Sequence, residues 1–159
     1  TRIGFEAGVG LEKTGVVGFA GRRAVSMLRV LFREAARADA DTLVRACLAQ
    51  RGVEVFHNSQ GVEGLCLLLI AKPGQDALHA ACDEVRRLLP GAQVKLRENL
   101  AALLALCRTT REVPKLAAAM ESAGVPVHHL VQTPPGALFC VNDSQYETAL
   151  RAAYALAFG

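Results

Sequence analysis

The sequence lacks the common signatures of a catalytic site. Its 159 residues contain no GxGxxG, GxxxxGK[ST], HExxH or GxSxG motif. These patterns mark dinucleotide binding, phosphate-loop binding, zinc proteolysis and the serine nucleophile elbow, respectively. Charge is also scarce: 21% of residues are charged and the net charge is +3. We therefore predict that this chain carries no catalytic site of its own.

Other absences bear on partners and location. The basic pairs Arg22-Arg23 and Arg86-Arg87 lack interleaved aromatic residues, so we expect no nucleic-acid partner. No apolar run reaches the ~18 residues that a membrane-spanning helix needs, and no signal peptide is recognisable, so we expect a cytoplasmic protein without a membrane partner. Because the chain starts at Thr1 without a methionine, we interpret it as a piece of a longer protein. The high apolar content, 52%, suggests oligomerisation.

Cysteine and histidine residues are present without metal-ligand spacing. The five cysteines show no CxxC pairing and lie in apolar segments, which favours buried reduced thiols over disulfides or a metal site. His79 has no partner four residues on, and we predict no metal ion. His57 and His129 are interpreted as packed or interfacial residues rather than metal ligands, on a face shared with Val53/Val55 and Val125/Val127, respectively. Cys140 with a distant histidine is a weak alternative as a thiol nucleophile.

What the sequence does contain is an internal repeat. GVEVFHNSQ at 52–60 returns without a gap as GVPVHHLVQ at 124–132. At a constant offset of 72, ten of 34 positions are identical. The identical residues of the first copy are Gly52, Val53, Val55, His57, Gln60, Gly64, Ala77, Leu78, Ala80 and Ala81. A repeat of this kind indicates that one small fold is used twice.

Hydrophobic periodicity predicts the same element order in both copies. The elements of the first copy are strand 25–32, a helix from Asp39 or Asp41 to about 50, strand 53–59, strand 65–71, helix 75–89 and strand 92–97. Those of the second copy are strand 100–107, helix 113–123, strand 125–133, strand 137–142 and helix 143–158. The first order is β-α-β-β-α-β, the ferredoxin-like pattern.

The second copy ends one strand short, and one strand-like segment, Gly15 to Ala20, remains unassigned. We therefore predict that this segment completes the second unit, so that the first unit is inserted in the second. The predicted fold class is α+β with two ferredoxin-like units. The predicted boundaries are 24–97 for the first unit, 14–23 plus 98–159 for the second, and 1–13 for a linker or the tail of a preceding catalytic domain.

Binding is the function that remains. In a ferredoxin-like unit the loop between the first strand and the first helix presents free N–H groups to a carboxylate. This loop is Arg33–Asp41 in the first unit and Arg108–Pro114 in the second, and the polar ends of the second strands, Asn58–Gln60 and Gln132–Thr133, lie close to it. The alternative is that Thr109, Thr110 and the aspartates only cap helices.

At this point the chain resembles the C-terminal regulatory portion of aspartokinases, which is built from tandem ACT domains. TRIG at 1–4 resembles the Gly-Thr-x-Ile tail that ends the kinase domain, and VVGFAGRRAVSMLRV at 16–30 is similar to the family's entry into its ACT strands. HLVQTP at 129–134, followed by ALRAAYALAF at 149–158, resembles its closing turn and helix.

The resemblance implies an amino-acid-sensing allosteric domain that controls an aspartate kinase, with lysine or threonine as the effector. It implies a homodimer through ACT units and an attached kinase domain, to which ATP and magnesium would belong, so that this fragment itself needs no cofactor. The parent protein would phosphorylate the aspartate side chain. The implied effector contacts are Asp39, Ala40, Asp41, Asn58, Ser59, Gln60, Thr110, Glu112, Gln132 and Thr133.

Two alternatives stay open. The first is a stand-alone ACT-type module for amino-acid binding or oligomerisation without a kinase. The second is a small thiol or metal enzyme, because the ferredoxin-like fold hosts many functions. The family's loop glycine is also absent from both copies, where Asp39 and Glu112 stand near its place.

Overall fold

The structure is a computed structural model that describes residues 2–4, 15–32, 37–60, 64–71, 74–133 and 135–159. The chain divides into two compact units. Residues 25–98 form one, here called the inserted unit, and residues up to 24 together with 99–159 form the other, here called the outer unit.

The inserted unit follows the predicted β-α-β-β-α-β order. Its elements are the second half of β2 (Val16–Leu31), α1 (Arg37–Gln50), β3 (Val53–Gln60), β4 (Gly64–Ala71), α2 (Gln75–Leu88) and the first half of β5 (Gln93–Cys107). Its strands lie in the order β3-β4-β2-β5, and β4 pairs antiparallel with both neighbours. The core forms because alternate sheet residues such as Leu28 and Leu67 face Val44 and Leu78 of the helices.

The outer unit repeats this arrangement with a different chain order. Its elements are the second half of β5, α3 (Glu112–Ser122), β6 (His129–Thr133), β7 (Gly136–Asn142), a 3₁₀ turn (Asp143–Gln145), α4 (Tyr146–Phe158) and the first half of β2. The strand order is β2-β5-β7-β6, so the segment before the inserted unit does complete this sheet. A short strand, β1 (Arg2–Gly4), pairs antiparallel with β2. Phe19 and Phe139 are fully buried in the core.

These observations confirm the fold class: two ferredoxin-like units, the first inserted in the second. Two pairs of predicted strands turn out to be continuous, because 15–20 and 25–32 belong to β2, and 92–97 and 100–107 belong to β5. Both long strands pass from one unit to the other through a residue with positive φ, Ala24 (φ 56) and Asn99 (φ 58).

The predicted strand 125–133 is shorter than expected, because β6 begins only at His129. Pro126 has no N–H to donate to a ladder. In the segment before β6, His128 N–H still donates to the Cys140 carbonyl at 2.8 Å, and side chains add further contacts. The ring Nε2 of His128 lies 2.8 Å from Asn142 Oδ1, and Gln145 Nε2 donates to the Gly124 carbonyl at 2.9 Å. These side-chain hydrogen bonds therefore supplement the single backbone bond from His128.

The two repeated histidines occupy equivalent register positions, His57 opposite Leu68 and His129 opposite Cys140. The prediction that they share a face with Val53 and Val125 is wrong. A β-bulge between Val55 and His57 shifts the register by one residue, so His57 lies on the face away from the helices. The His57 Nε2 atom is buried without a hydrogen-bond partner, and burial lowers the pKa of this imidazole.

The remaining chemistry is sparse in the part of the chain that the structure describes. None of the five cysteines forms a disulfide; four are buried and Cys66 is half-buried. Within the described ranges, no group of three or more His, Cys, Asp or Glu residues is placed to hold a metal ion. None of the helices in those ranges combines the length and the apolar character that a membrane span requires. The predicted tail, 1–13, lies outside the described residues except for β1.

Candidate functional site

A depression of about 100 Å³ lies in the outer unit where β5 ends and α3 begins. Its lining residues are Cys107, Arg108, Thr109, Thr110, Val113, Gln132, Pro135 and Gly136. The depression therefore combines the loop before α3 with the neighbouring β6–β7 turn.

Two backbone hydrogen bonds fix the loop at its start. Cys107 N–H donates to the Pro135 carbonyl at 2.8 Å, and Arg108 N–H donates to the Gly15 carbonyl at 2.7 Å. The loop is thus tied to the β6–β7 turn on one side and to the residue before β2 on the other. Its shape depends on segments far apart in the sequence.

Gly136 lines the depression at the base of the β6–β7 hairpin. It pairs with Thr133 on β6 and with Leu106 on β5. A Cβ at this position would overlap the Ala105 carbonyl oxygen, so only glycine lets β7 approach β5 this closely.

The start of α3 leaves its amide groups uncapped. Arg111 is the residue before the helix, and no side chain caps it by a hydrogen bond. Of the first amides, Val113 N–H donates to the Thr110 carbonyl at 3.2 Å. The N-cap residue is thus Arg111, and the interpretation of Thr109 and Thr110 as capping residues is wrong at this helix. Because Pro114 has no N–H, only Glu112 among the first three helical residues keeps an N–H that could face an anion.

Charge around the depression is mixed. Arg108 and Arg111 are exposed, whereas the Glu112 side chain is only 13% exposed and has Lys115 Nζ at 3.9 Å. On the floor, burial raises the pKa of the Cys107 thiol, and the charge of Glu112 raises it further. Cys107 is therefore a neutral thiol, which the structure does not activate as a nucleophile.

The predicted residues of this unit are brought to one place but contribute unequally. Thr110 and Gln132 line the depression, while Glu112 lies beside Gly15 and Thr133 is half-buried at the end of β6. Sequence reasoning missed two kinds of lining residue: the strand-end Cys107, and the turn residues Pro135 and Gly136. The Pro-Pro-Gly turn after β6 was the available signal, since a turn there must lie beside the first loop of the same fold.

The predicted residues of the inserted unit are more scattered. Asp39 is exposed, and Ala40 is fully buried in the core. Asp41 Oδ1 accepts a hydrogen bond from Arg45 Nε at 2.8 Å, which engages this carboxylate within α1. The expectation that Asp39 or Asp41 starts the helix is wrong because α1 already begins at Arg37. Asp39 instead places its charge in the first turn, where the helix dipole favours it.

The end of β3 supplies the other three predicted contacts. Asn58 is exposed, and Ser59 hydrogen-bonds the Cys66 thiol across the strand pair. Gln60 closes the strand opposite Leu65. Residues 33–36 of the predicted loop lie outside the described residues, so the geometry of this second predicted site is not described.

Comparison by sequence finds no matching family model, and no curated protein sequence matches the chain. Solved structures do match. The aspartate kinase of Clostridium acetobutylicum has a TM-score of 0.78 at 16% identity, over 91% of this chain and 34% of that one. Escherichia coli aspartokinase III gives 0.67 at 15% identity, over 91% and 34%. The regulatory subunit of the Thermus thermophilus enzyme, in its ligand-free form, gives 0.68 at 24% identity, over 91% and 99%.

The chain thus spans about a third of the complete kinases, 34%, and nearly all of a separate regulatory subunit, 99%. The depression lies at the loop between β5 and α3 of the outer unit. The chain has the fold of the regulatory region of aspartate kinases, with two ACT-type units of which one is inserted in the other.

Proposed function

We propose that this chain is an amino-acid-sensing regulatory region of an aspartate kinase, and that its effector binds in the depression of the outer unit. One observation carries the proposal: an uncapped helix start, a polar rim and an apolar floor meet in one concave site on this fold. A zwitterion with a small or extended side chain suits such a site.

The solved structures support the class of ligand. Escherichia coli aspartokinase III was crystallised with lysine and aspartate, in a form described as the T-state. Its structural match covers 91% of this chain. An amino acid of the aspartate-derived group, lysine or threonine, is therefore the first effector to test.

The geometry suggests how each end of the ligand is held. The effector carboxylate would face the Glu112 N–H at the start of α3, where the helix dipole and the Arg108 and Arg111 charges favour an anion. Its ammonium group would take the Gln132 side-chain oxygen and the Thr110 hydroxyl as acceptors. The shielded Glu112 carboxylate adds negative potential near that group.

Control of a kinase follows if the effector binds one conformation more tightly than another. A bound amino acid would join α3, β6 and the residue before β2, and so favour the arrangement in which they are closest. By linkage, the equilibrium between the two conformations of the attached kinase shifts by the ratio of the effector's affinities for them. The kinase partner would be a domain on the same chain or a separate catalytic subunit, and paired ACT units would form a homodimer.

Isothermal titration of the chain with L-lysine, L-threonine and, as a specificity control, L-glutamate tests this proposal. We expect saturable binding of lysine or threonine and none of glutamate. Absence of heat with all aspartate-derived amino acids at several temperatures, together with unchanged melting temperature at millimolar ligand, would overturn the sensing role.

Replacement of Thr110 or Gln132 by alanine should weaken that binding about 2- to 10-fold, since each loses one hydrogen bond of ~0.5–1.5 kcal/mol. Thr148→Ala and Gln93→Ala are matched controls because both side chains are exposed and distant in sequence from the depression. If the controls weaken binding as much as the two site variants do, the effector binds elsewhere.

A further inference from the structure

The residue at which β2 leaves the outer unit and the residue at which β5 enters it share an unusual backbone conformation. In the described ranges, Ala24 and Asn99 are the residues other than glycine with positive φ, at 56° and 58°. Asparagine tolerates this left-handed region, whereas alanine pays about 1–2 kcal/mol for it. Strain of this kind persists only where the surroundings impose it. Ala24 therefore needs a partner that holds it.

The partner is the carboxylate of Asp143, in the 3₁₀ turn before α4. Ala24 N–H donates to Asp143 Oδ1 at 3.0 Å. The neighbouring Arg23 donates from Nη2 to Asp143 Oδ2 and to the Asp143 carbonyl, both at 3.2 Å. One aspartate thus binds two consecutive residues of β2, through side chain and backbone together.

Tyr146 contributes a further contact to Arg23. The Arg23 guanidinium carbon lies 5.4 Å from the centre of the Tyr146 ring, within the range of a cation–π interaction. Tyr146 is 1% exposed, so its position is fixed by the core. Gly21 makes room for it, because a Cβ there would overlap the Tyr146 hydroxyl.

We propose that Asp143 is a positioning residue that latches β2 in a left-handed bend at Ala24, so that the start of the last helix and the point where β2 leaves the outer unit move together. The latch consists of Arg23, Ala24, Asp143 and Tyr146. The inference goes beyond the sensing role and does not depend on it, since none of these four residues lines the depression.

The left-handed bend at Ala24 depends on the Asp143 carboxylate. With the carboxylate in place, the hydrogen bond from Ala24 and the Arg23 ion pair offset the strain. Without it, Ala24 is free to return to an extended conformation, and the local backbone at Ala24 and Val25 changes. A displacement of the 3₁₀ turn is passed on to the backbone of β2 in this way.

A rescue experiment on the full chain tests the latch. Asp143→Ala should shift the backbone amide and Cα resonances of Val25 and Ser26 and speed hydrogen exchange at the Ala24 amide by at least about tenfold. In the double variant Ala24→Gly/Asp143→Ala the Val25 and Ser26 resonances should return toward their original positions, because glycine adopts positive φ without strain. Asp83→Ala, which removes an exposed carboxylate paired with Arg86, is the control and should change none of them.

The results separate a latch from a merely structural contact. Rescue of the Val25 and Ser26 resonances by Ala24→Gly supports the latch. If Asp143→Ala leaves these resonances in place, or if glycine at position 24 fails to restore them in a variant that remains folded, the proposal is overturned. A global unfolding of Asp143→Ala that Ala24→Gly does not reverse contradicts it equally.

Acid provides a second test with the wild-type chain. Burial alone would raise the pKa of Asp143, but hydrogen bonds from Arg23 and Ala24 together with the Arg23 charge outweigh it and lower the pKa below its ordinary value. The other ionisable groups facing this pair are Tyr146 and Glu147 of α4. A depressed carboxyl pKa means that the latch is fully formed above the ordinary value, ~3.9, and is lost as the pH falls through the lower one. The Ala24 amide resonance should titrate below ~3.9, and this titration should be absent in Asp143→Asn; a midpoint at or above that value contradicts the latch.

Discussion

Replacement of Phe19 by alanine should lower the free energy of unfolding of the outer unit by about 3–5 kcal/mol, the range for a buried phenylalanine. Phe19 is fully buried, and its ring centre lies 6.1 Å from that of Tyr154 and 6.2 Å from that of Phe158. Because these partners lie in α4, at the other end of the sequence, the substitution removes the contact that joins the first strand segment to the last helix. Urea denaturation followed by circular dichroism measures the loss.

Phe56→Ala is the matched control for this prediction. Phe56 is half-buried at the β3 bulge of the inserted unit, so its loss should destabilise by only about 1 kcal/mol, a typical value for single substitutions. Equal effects of the two substitutions would mean that residues 16–24 do not complete the core of the outer unit, which would contradict the inserted arrangement of the fold.

Gly136→Ala should destabilise the outer unit by about 1–3 kcal/mol and abolish effector binding at the depression. We expect the upper end of this range, since the added Cβ would meet a backbone carbonyl, that of Ala105, which cannot rotate away as a side chain could. β5 and β7 must separate where Leu106 pairs with Gly136. The neighbouring hydrogen bond from Cys107 N–H to the Pro135 carbonyl must lengthen as well. Thermal unfolding and calorimetric titration report the two effects separately.

Gly91→Ala serves as the control for Gly136→Ala. A Cβ at Gly91 would meet nothing within 4 Å, so alanine there should leave both stability and binding unchanged. Wild-type stability and binding in Gly136→Ala would show that β7 does not approach β5 as closely as described. Lost stability with full binding would place the effector outside the depression.

The repeat is the reason that so much of the fold could be predicted. Each copy must bury one sheet face under two helices, so apolar residues recur at the same spacing and reveal the elements. The second copy lacked one strand, so the segment before the inserted unit had to supply it. Val16 and Phe19 of that segment are indeed in the core of the outer unit. Local periodicity and the number of strands that each unit needs were sufficient to predict the order of the elements and the inserted arrangement.

Features that depend on one distant contact could not be predicted. The left-handed bend of Ala24 exists because Asp143, far along the sequence, accepts its N–H. The register shift at His57 arises from a bulge, which leaves no mark in an alternating pattern. In both cases the sequence around the residue favours an ordinary strand; at Ala24 the distant carboxylate of Asp143 overrides this preference.

The candidate site was predictable to the extent that its residues follow from the fold. Thr110 and Gln132 could be named because the first loop and the second strand of a ferredoxin-like unit end close together. Gly136 and Cys107 were missed, since their role depends on how closely β7 approaches β5. The inserted-unit residues remain predictions, of which Asp41 already has a partner in Arg45.

The most direct test of the sensing role is a map of backbone amide shifts in the ¹⁵N-labelled chain as lysine or threonine is added. We expect saturable shifts at residues 107–113, at Gln132 and at Gly136, and we expect alanine at Thr110 or Gln132 to weaken the binding that these shifts report. Shifts confined to other residues, or none up to millimolar ligand, would contradict an amino-acid site at the start of α3.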